Sequence, residues 1–229
     1  MTTSETPAPL FVGTSAISDL RPLRTLIKLP TLYPILDASQ FSDQNGWLRA
    51  AEALAAAGVT LLQYRNKTAA ARQIVEDVRE LKHRAGRAVR LIMNDRADLC
   101  LAAGCDGLHV GQEDLSPHGA RHVIGQNLLL GVSTHNPEQL KEADATSADY
   151  IAIGPVFVTS SKERPDPVVG VEGVRRARRL TRKPLVAIGG ITRANALEVI
   201  AAGADAVAVI SDLLRDPRKS AEEFFRILG

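Results

Sequence analysis

The chain has 229 residues, of which 45% are apolar and only 4% aromatic, and its 28 basic side chains nearly balance 26 acidic ones. That length suits one large α/β domain, and the apolar share suffices to fill its core. Balanced charge and scarce aromatics exclude a broad field for nucleic acid and stacking platforms for bases, so anion binding is expected to be local.

Met1 to Glu5 lack the basic segment of a secretory signal, and no run of about 18 uninterrupted apolar residues exists. A soluble, cytoplasmic protein with no membrane partner is expected. Cys100 and Cys105 are too few and too close for a disulfide framework, and no second Cys/His pair stands at zinc-ligand spacing. They read as buried, inert thiols. Residues 1–29 mix Thr, Ser and Pro without sustained periodicity and read as an extension outside the fold.

From Thr31 onward, short and nearly continuous runs of Ile, Val and Leu predict strands covered on both faces. They fall at 31–37, 60–65, 89–95, 107–110, 128–133, 150–155, 184–190 and 206–211. Amphipathic segments lie between them: Trp47–Ala57, Ala69–Ala85, Pro137–Ala145, Val171–Leu180, Ala194–Ala202 and Ala221–Leu228. Gly58, Gly104 and Gly203 follow helices where a left-handed cap is needed before the next strand. The cycle persists to the last residues, which favours a closed barrel over an open doubly wound sheet. The expected architecture is a single TIM (β/α)8 barrel over residues 30–229, with chemistry on the loops at the carboxyl ends of its strands.

Most of those loops carry residues suited to phosphate. Gln63, Arg65 and Lys67 alternate along the second strand, and residues two apart in extended backbone share a face. Arg offers a planar fork for two phosphate oxygens, Lys a mobile point charge. Asn94 and Asp95 close the third strand, and Asp114 follows the fourth. Asp95 and Asp114 alone would read as helix caps. Beside Arg65 and Lys67 they read as hard oxygen ligands for Mg²⁺, with substrate phosphates completing the shell.

After the sixth strand, Thr159, Ser160, Ser161 and Lys162 set hydroxyls and an ammonium on a long loop that reads as a lid over oxyanions. Gly189-Gly190 and Ile210-Ser211 end the seventh and eighth strands, where α/β barrels commonly hold a phosphate on backbone N–H groups. His109 projects from the fourth strand and reads equally well as a site residue or a satisfied core histidine. His83, His118, His122 and His135 read as surface or helix residues, the basic run Arg175 to Lys183 as a solvated face, and Trp47 as helix packing.

Taken in this order, the motifs resemble those of the thiamine phosphate synthase family, also called thiamine-phosphate pyrophosphorylase, over residues 31–229. The resemblance implies a TIM barrel that joins 4-amino-2-methyl-5-hydroxymethylpyrimidine diphosphate to thiazole phosphate, or its carboxylated form, with loss of pyrophosphate. It implies Mg²⁺ as cofactor, held by Asp95 and Asp114. It places the pyrimidine diphosphate on the segment Gln63, Tyr64, Arg65, Asn66 and Lys67 together with Asn94, Ser133 and Lys162. Gln63 and Ser133 face the pyrimidine; Arg65, Lys67, Asn94 and Lys162 face the diphosphate. Thr159, Ser160, Ser161, Gly190, Ile210 and Ser211 are implied to hold the thiazole phosphate. Arg65, Lys67, Ser133 and Lys162 are the expected catalytic residues, and assembly into a homo-oligomer is compatible with the reading.

The chain departs from the family pattern in four ways. Ser161 stands where the loop usually carries a second Thr, which keeps the hydroxyl and loses a methyl. Pro34 interrupts the apolar first strand, and the stretch between Asp114 and Ser133 is one residue longer. The extension has no counterpart in the family core. Two rival functions remain at this point: a thiazole tautomerase, which shares the barrel and phosphate pocket but needs no metal-diphosphate site, and a non-catalytic sensor of a phosphorylated metabolite. Neither accounts for two carboxylates beside three cations.

Overall fold

The apolar runs fold as eight strands: β1 (Leu32–Asp37), β2 (Leu61–Arg65), β3 (Arg90–Asn94), β4 (Gly107–Val110), β5 (Leu129–Thr134), β6 (Tyr150–Ile153), β7 (Leu185–Ile188) and β8 (Ala206–Val209). All neighbours pair in parallel and β8 pairs with β1, closing the barrel. The structure is a computed structural model that describes residues 28–159 and 166–229. Of the expected extension, residues 1–27 lie outside the described residues. Leu29, at its last position, is buried in the cluster that fills the barrel interior.

Among the described residues eight α-helices surround the barrel: α1 (Gln44–Ala56), α2 (Ala71–Ala85), α3 (Ala97–Ala103), α4 (Pro117–Ile124), α5 (Pro137–Asp144), α6 (Gly170–Leu180), α7 (Ala196–Ala201) and α8 (Pro217–Leu228). Two start earlier than their apolar pattern predicts, because a cap rather than an apolar residue begins them. The Asp43 carboxylate accepts from Gly46 N–H at 2.7 Å to open α1, and Asp216 accepts from Lys219 N–H at 3.2 Å ahead of Pro217 in α8. Strands β6, β7 and β8 end at Ile153, Ile188 and Val209, short of the predicted limits, since Gly154-Pro155, Gly189-Gly190 and Ile210-Ser211 already turn into loops. Among the described residues no helix is long and apolar enough to cross a membrane.

Period-two alternation sorts the strand residues into two cores. Leu62, Tyr64, Leu91, Met93, Leu108, Val132 and Ile151 point outward into the layer shared with the helices. Tyr33, Ile35, Leu61, Ile92, Leu129, Tyr150, Val186, Ala206 and Ala208 point inward and fill the barrel. Two interior positions carry no side chain for steric reasons. A Cβ on Gly131 would stand 2.1 Å from the Tyr150 ring, and one on Gly107 would meet Ile92 and Leu129 at 2.7 Å. Gly131 makes room for Tyr150 to reach across the barrel, and Gly107 for Ile92 and Leu129.

The amino end of the barrel is tied by a repeated device. Asp106, Asp149 and Asp205, each just before a strand, accept from the N–H of Leu91, Leu130 and Leu185 at 2.7 to 2.8 Å. Each is also paired with a cation, respectively Lys82 at 3.6 Å, Arg121 at 2.7 Å and Arg178 at 2.8 Å. Arg121 is itself 5% exposed and donates to three carbonyls as well. Arg178 therefore leaves the solvated face predicted for its run; its neighbours Arg175 and Arg179 stay exposed beside Glu172.

Candidate active site

Three side chains of β1 and β2 define the first part of the carboxyl rim. Gln63 and Arg65 project to the barrel interior side of β2, and Asp37, buried at the end of β1 and in register with Arg65, accepts from its guanidinium. Asp37 is absent from the sequence-based site; its value is to hold the Arg65 fork in place. Tyr64 and Asn66 do not join this group. Tyr64 lies on the opposite face of β2, buried with its ring 5.4 Å from that of Trp47, and its hydroxyl donates to Asp77 at 2.6 Å. Asn66 donates to the Tyr64 hydroxyl and accepts from Thr68 and Ala69 N–H, shaping the turn into α2. The alternation that aligns Gln63, Arg65 and Lys67 already sets Tyr64 on the other side.

Lys67, just past β2, reaches Asp95 at 3.2 Å. Asn94 donates to the same carboxylate. Asp95 adopts φ 64°, a conformation uncommon for a residue with a side chain, and its N–H donates to the His109 carbonyl at 2.8 Å. Burial first, and then the charge of Asp114 across the rim, push the Asp95 carboxyl up to about 6, with Lys67 opposing. Asp114 is exposed and accepts from Gly111 N–H at 2.7 Å. A partly buried carboxylate facing a second carboxylate is an arrangement that a hard divalent cation relieves, so the pair fits Mg²⁺. Among the described residues no third His, Cys, Asp or Glu joins them to form a group.

Below the rim, a chain of polar side chains crosses the barrel. Gln63 Nε2 donates to the Tyr33 hydroxyl at 2.9 Å, and the Tyr33 and Tyr150 hydroxyls lie 3.0 Å apart. His109 joins the Tyr150 hydroxyl through Nδ1 at 3.0 Å and the Ser133 hydroxyl through Nε2 at 2.8 Å. Burial lowers the His109 pKa to about 4 against the opposing charge of Asp114, so the ring is neutral. Burial likewise raises both tyrosines above their ordinary values. The two tyrosines were missing from the sequence-based site, although alternation along apolar strands places them, like His109, inside the barrel.

The other rim loops are described in part. Ser160, Ser161 and Lys162 lie outside the described residues; Thr159 is half-buried at the edge of that gap. His135, expected at the surface, instead donates from Nδ1 to the Gly154 carbonyl at 2.6 Å, with Asp166 3.5 Å from its other nitrogen. Gly190, at φ 63°, has a steric reason to be glycine: a Cβ there would stand 2.5 Å from the Val158 carbonyl. Ile210 and Ser211 open the neighbouring turn after β8. Arg193 joins the two loops, since its N–H and Nε both donate to Asp212 at 2.9 Å and its guanidinium also meets Glu223.

The fold and rim define an α/β-barrel enzyme with a cation-rich, carboxylate-bearing site at the carboxyl ends of its strands. Residues 32–213 match the family model for thiamine monophosphate synthase. The chain is 58% identical over 205 residues to the thiamine-phosphate synthase of Koribacter versatilis, covering 88% of this chain and 97% of that one. It is 44% identical over 181 residues to that of Chloroflexus aurantiacus, covering 79% and 83%. Among solved structures, thiamine phosphate pyrophosphorylase from Pyrococcus furiosus superposes with a TM-score of 0.76 at 35% identity, covering 86% of this chain and 95% of that one. The chain belongs to the thiamine monophosphate synthase family, whose members are transferases acting on small molecules.

Proposed function

We propose that the chain synthesises thiamine phosphate by transferring the pyrimidinylmethyl group of the aminopyrimidine diphosphate to the nitrogen of thiazole phosphate. The observation that carries the assignment of roles is the convergence of Arg65, Lys67, Asn94, Asp95 and Asp114 on one rim, directly above the Gln63 to Ser133 chain. The family relationship supplies the reaction; the rim supplies residues matched to its leaving group.

Bond breaking occurs between the pyrimidinylmethyl carbon and the diphosphate oxygen, and the electron pair leaves with pyrophosphate. Arg65, pinned by Asp37, and Lys67 neutralise the charge that grows on the departing oxygens, and Lys162 is assigned to the same anion. Mg²⁺ held by Asp95 and Asp114 would add Lewis-acid stabilisation of that anion. The amino group of the ring donates electron density to the cationic carbon, which the thiazole nitrogen captures; the carboxylated thiazole then also loses carbon dioxide. No protein nucleophile is needed, so positioning and electrostatics account for catalysis. The second phosphate is assigned to the loops carrying Thr159, Ser160, Ser161, Gly190, Ile210 and Ser211, with Arg193 and Asp212 bracing the last two. We place the protein in the cytoplasm.

Supplying both substrates with Mg²⁺ and following pyrophosphate separates this reading from its rivals. Stoichiometric release with thiamine phosphate formation is expected. A tautomerase or a sensor releases none.

A further inference from the structure

With Gln63 Nε2 turned toward Tyr33, the polar chain across the barrel runs in one direction. Gln63 Nε2 is a donor only, so the Tyr33 oxygen accepts there. Among the described residues the single Tyr33 proton then has one acceptor within reach, the Tyr150 oxygen at 3.0 Å. Reversing that bond would strand a hydroxyl proton on a residue that is 1% exposed, which is unfavourable. Tyr150 must in turn donate to His109 Nδ1, which leaves the imidazole proton on Nε2 and aims it at the Ser133 oxygen. The Ser133 hydroxyl proton is therefore not spent on the chain. The Gln63 carbonyl oxygen at the other end likewise takes no part in it.

We propose that Tyr33, Tyr150 and His109 are positioning residues that fix the hydrogen-bond polarity of the pyrimidine subsite, holding Gln63 as an acceptor and Ser133 as a donor. The proposal rests on the assignment of the pyrimidine to Gln63 and Ser133. An aminopyrimidine offers the matching pattern, an amino N–H donor beside a ring-nitrogen acceptor. Its oxo counterpart offers the inverse, a carbonyl acceptor beside a ring N–H donor, and meets Gln63 and Ser133 with both bonds mismatched. A site whose buried polar groups are left unpaired by the wrong ligand discriminates far more strongly than one that relies on shape.

A further feature fits this role. Gly131, in register with Tyr150, is the position whose missing side chain lets the Tyr150 ring reach the centre of the barrel.

The test compares the wild-type protein with Tyr33→Phe and Tyr150→Phe, which keep ring volume and remove one link each. Binding of the aminopyrimidine diphosphate and of its oxo analogue is titrated with Mg²⁺ and without thiazole phosphate; turnover is then measured with both substrates. Wild type is expected to favour the amino form by about 100-fold or more. Each Phe variant should narrow that ratio by roughly tenfold, leaving KM for thiazole phosphate unchanged. A purely structural role for the tyrosines would leave the ratio intact in folded protein, and that outcome overturns the proposal. If one variant fails to fold, the other decides. Wild type that releases no pyrophosphate would overturn the functional reading instead, so the two failures are distinct.

Discussion

The Lys67 ammonium lies 3.2 Å from the Asp95 carboxylate, so the ends of β2 and β3 are already bridged by the groups assigned to the leaving anion and its cation. In the proposed function Lys67 exchanges this partner for a phosphate oxygen when substrate arrives, whereas Asp95 would remain to hold Mg²⁺. The two residues therefore separate experimentally. Asp95→Asn should abolish binding of Mn²⁺ used as a spectroscopic probe and lower turnover by about 100-fold or more. Lys67→Met should lower turnover by a similar factor while leaving Mn²⁺ binding in place. Equal loss of metal binding in both variants would contradict the division.

Arg193 bonds to Asp212 through both its main chain and its guanidinium, which holds the loop after β7 against the turn after β8. Arg193→Met should raise KM for thiazole phosphate by roughly tenfold, about 1.4 kcal/mol of lost binding, and leave KM for the pyrimidine diphosphate unmoved. Steady-state kinetics with each substrate varied in turn provides the measurement.

Gly131→Ala places a methyl 2.1 Å from the Tyr150 ring in the closed interior of the barrel. Overpacking of this kind destabilises by about 1–3 kcal/mol. A lower denaturation midpoint in urea, with reduced discrimination between the amino and oxo ligands, is expected because Tyr150 must shift. Stability equal to wild type would show that the ring has space the packing does not suggest.

His109 also gives stability a pH dependence of known sign. Its folded-state pKa, about 4, lies below the ordinary 6.5. Below about 6.5 the unfolded chain binds a proton that the folded chain refuses, so stability falls as pH drops from 6.5 toward 4 and levels off beneath. The loss should reach on the order of 2 kcal/mol by pH 5. Asp95, raised to about 6, acts in the opposite direction over much of this window, because the folded chain then binds the extra proton. The comparison of wild type with His109→Gln isolates the histidine: the variant should lose less stability between pH 7 and pH 5. An identical slope in both would remove His109 as the cause.

Much of the fold was legible because buried parallel strands leave near-continuous apolar runs that no solvent-facing strand requires. Every predicted strand is present, and the larger errors fall where a strand yields to a loop at the carboxyl rim, as at Gly189-Gly190 and Ile210-Ser211. Helix α3, seven residues long, and α4, which opens at Ser116-Pro117, are not placed individually by the sequence pattern. In the site, charge made Arg65, Lys67, Asp95 and Asp114 conspicuous. Tyr33, Tyr150 and Asp37 were not, because a tyrosine within an apolar run reads as packing and an aspartate after one reads as a cap. Only their pairing across distant strands reveals a purpose, and such pairing leaves no trace in local spacing. Tyr64 shows the converse: proximity in sequence to Gln63 and Arg65 suggested a shared role that the pleat of the strand denies.

The aspartates before β4, β6 and β8 lie at the amino end of the barrel, with their three basic partners, on the side away from the chemistry. Substitutions in these three ties should therefore act on stability at the pole opposite the proposed site, without touching its side chains.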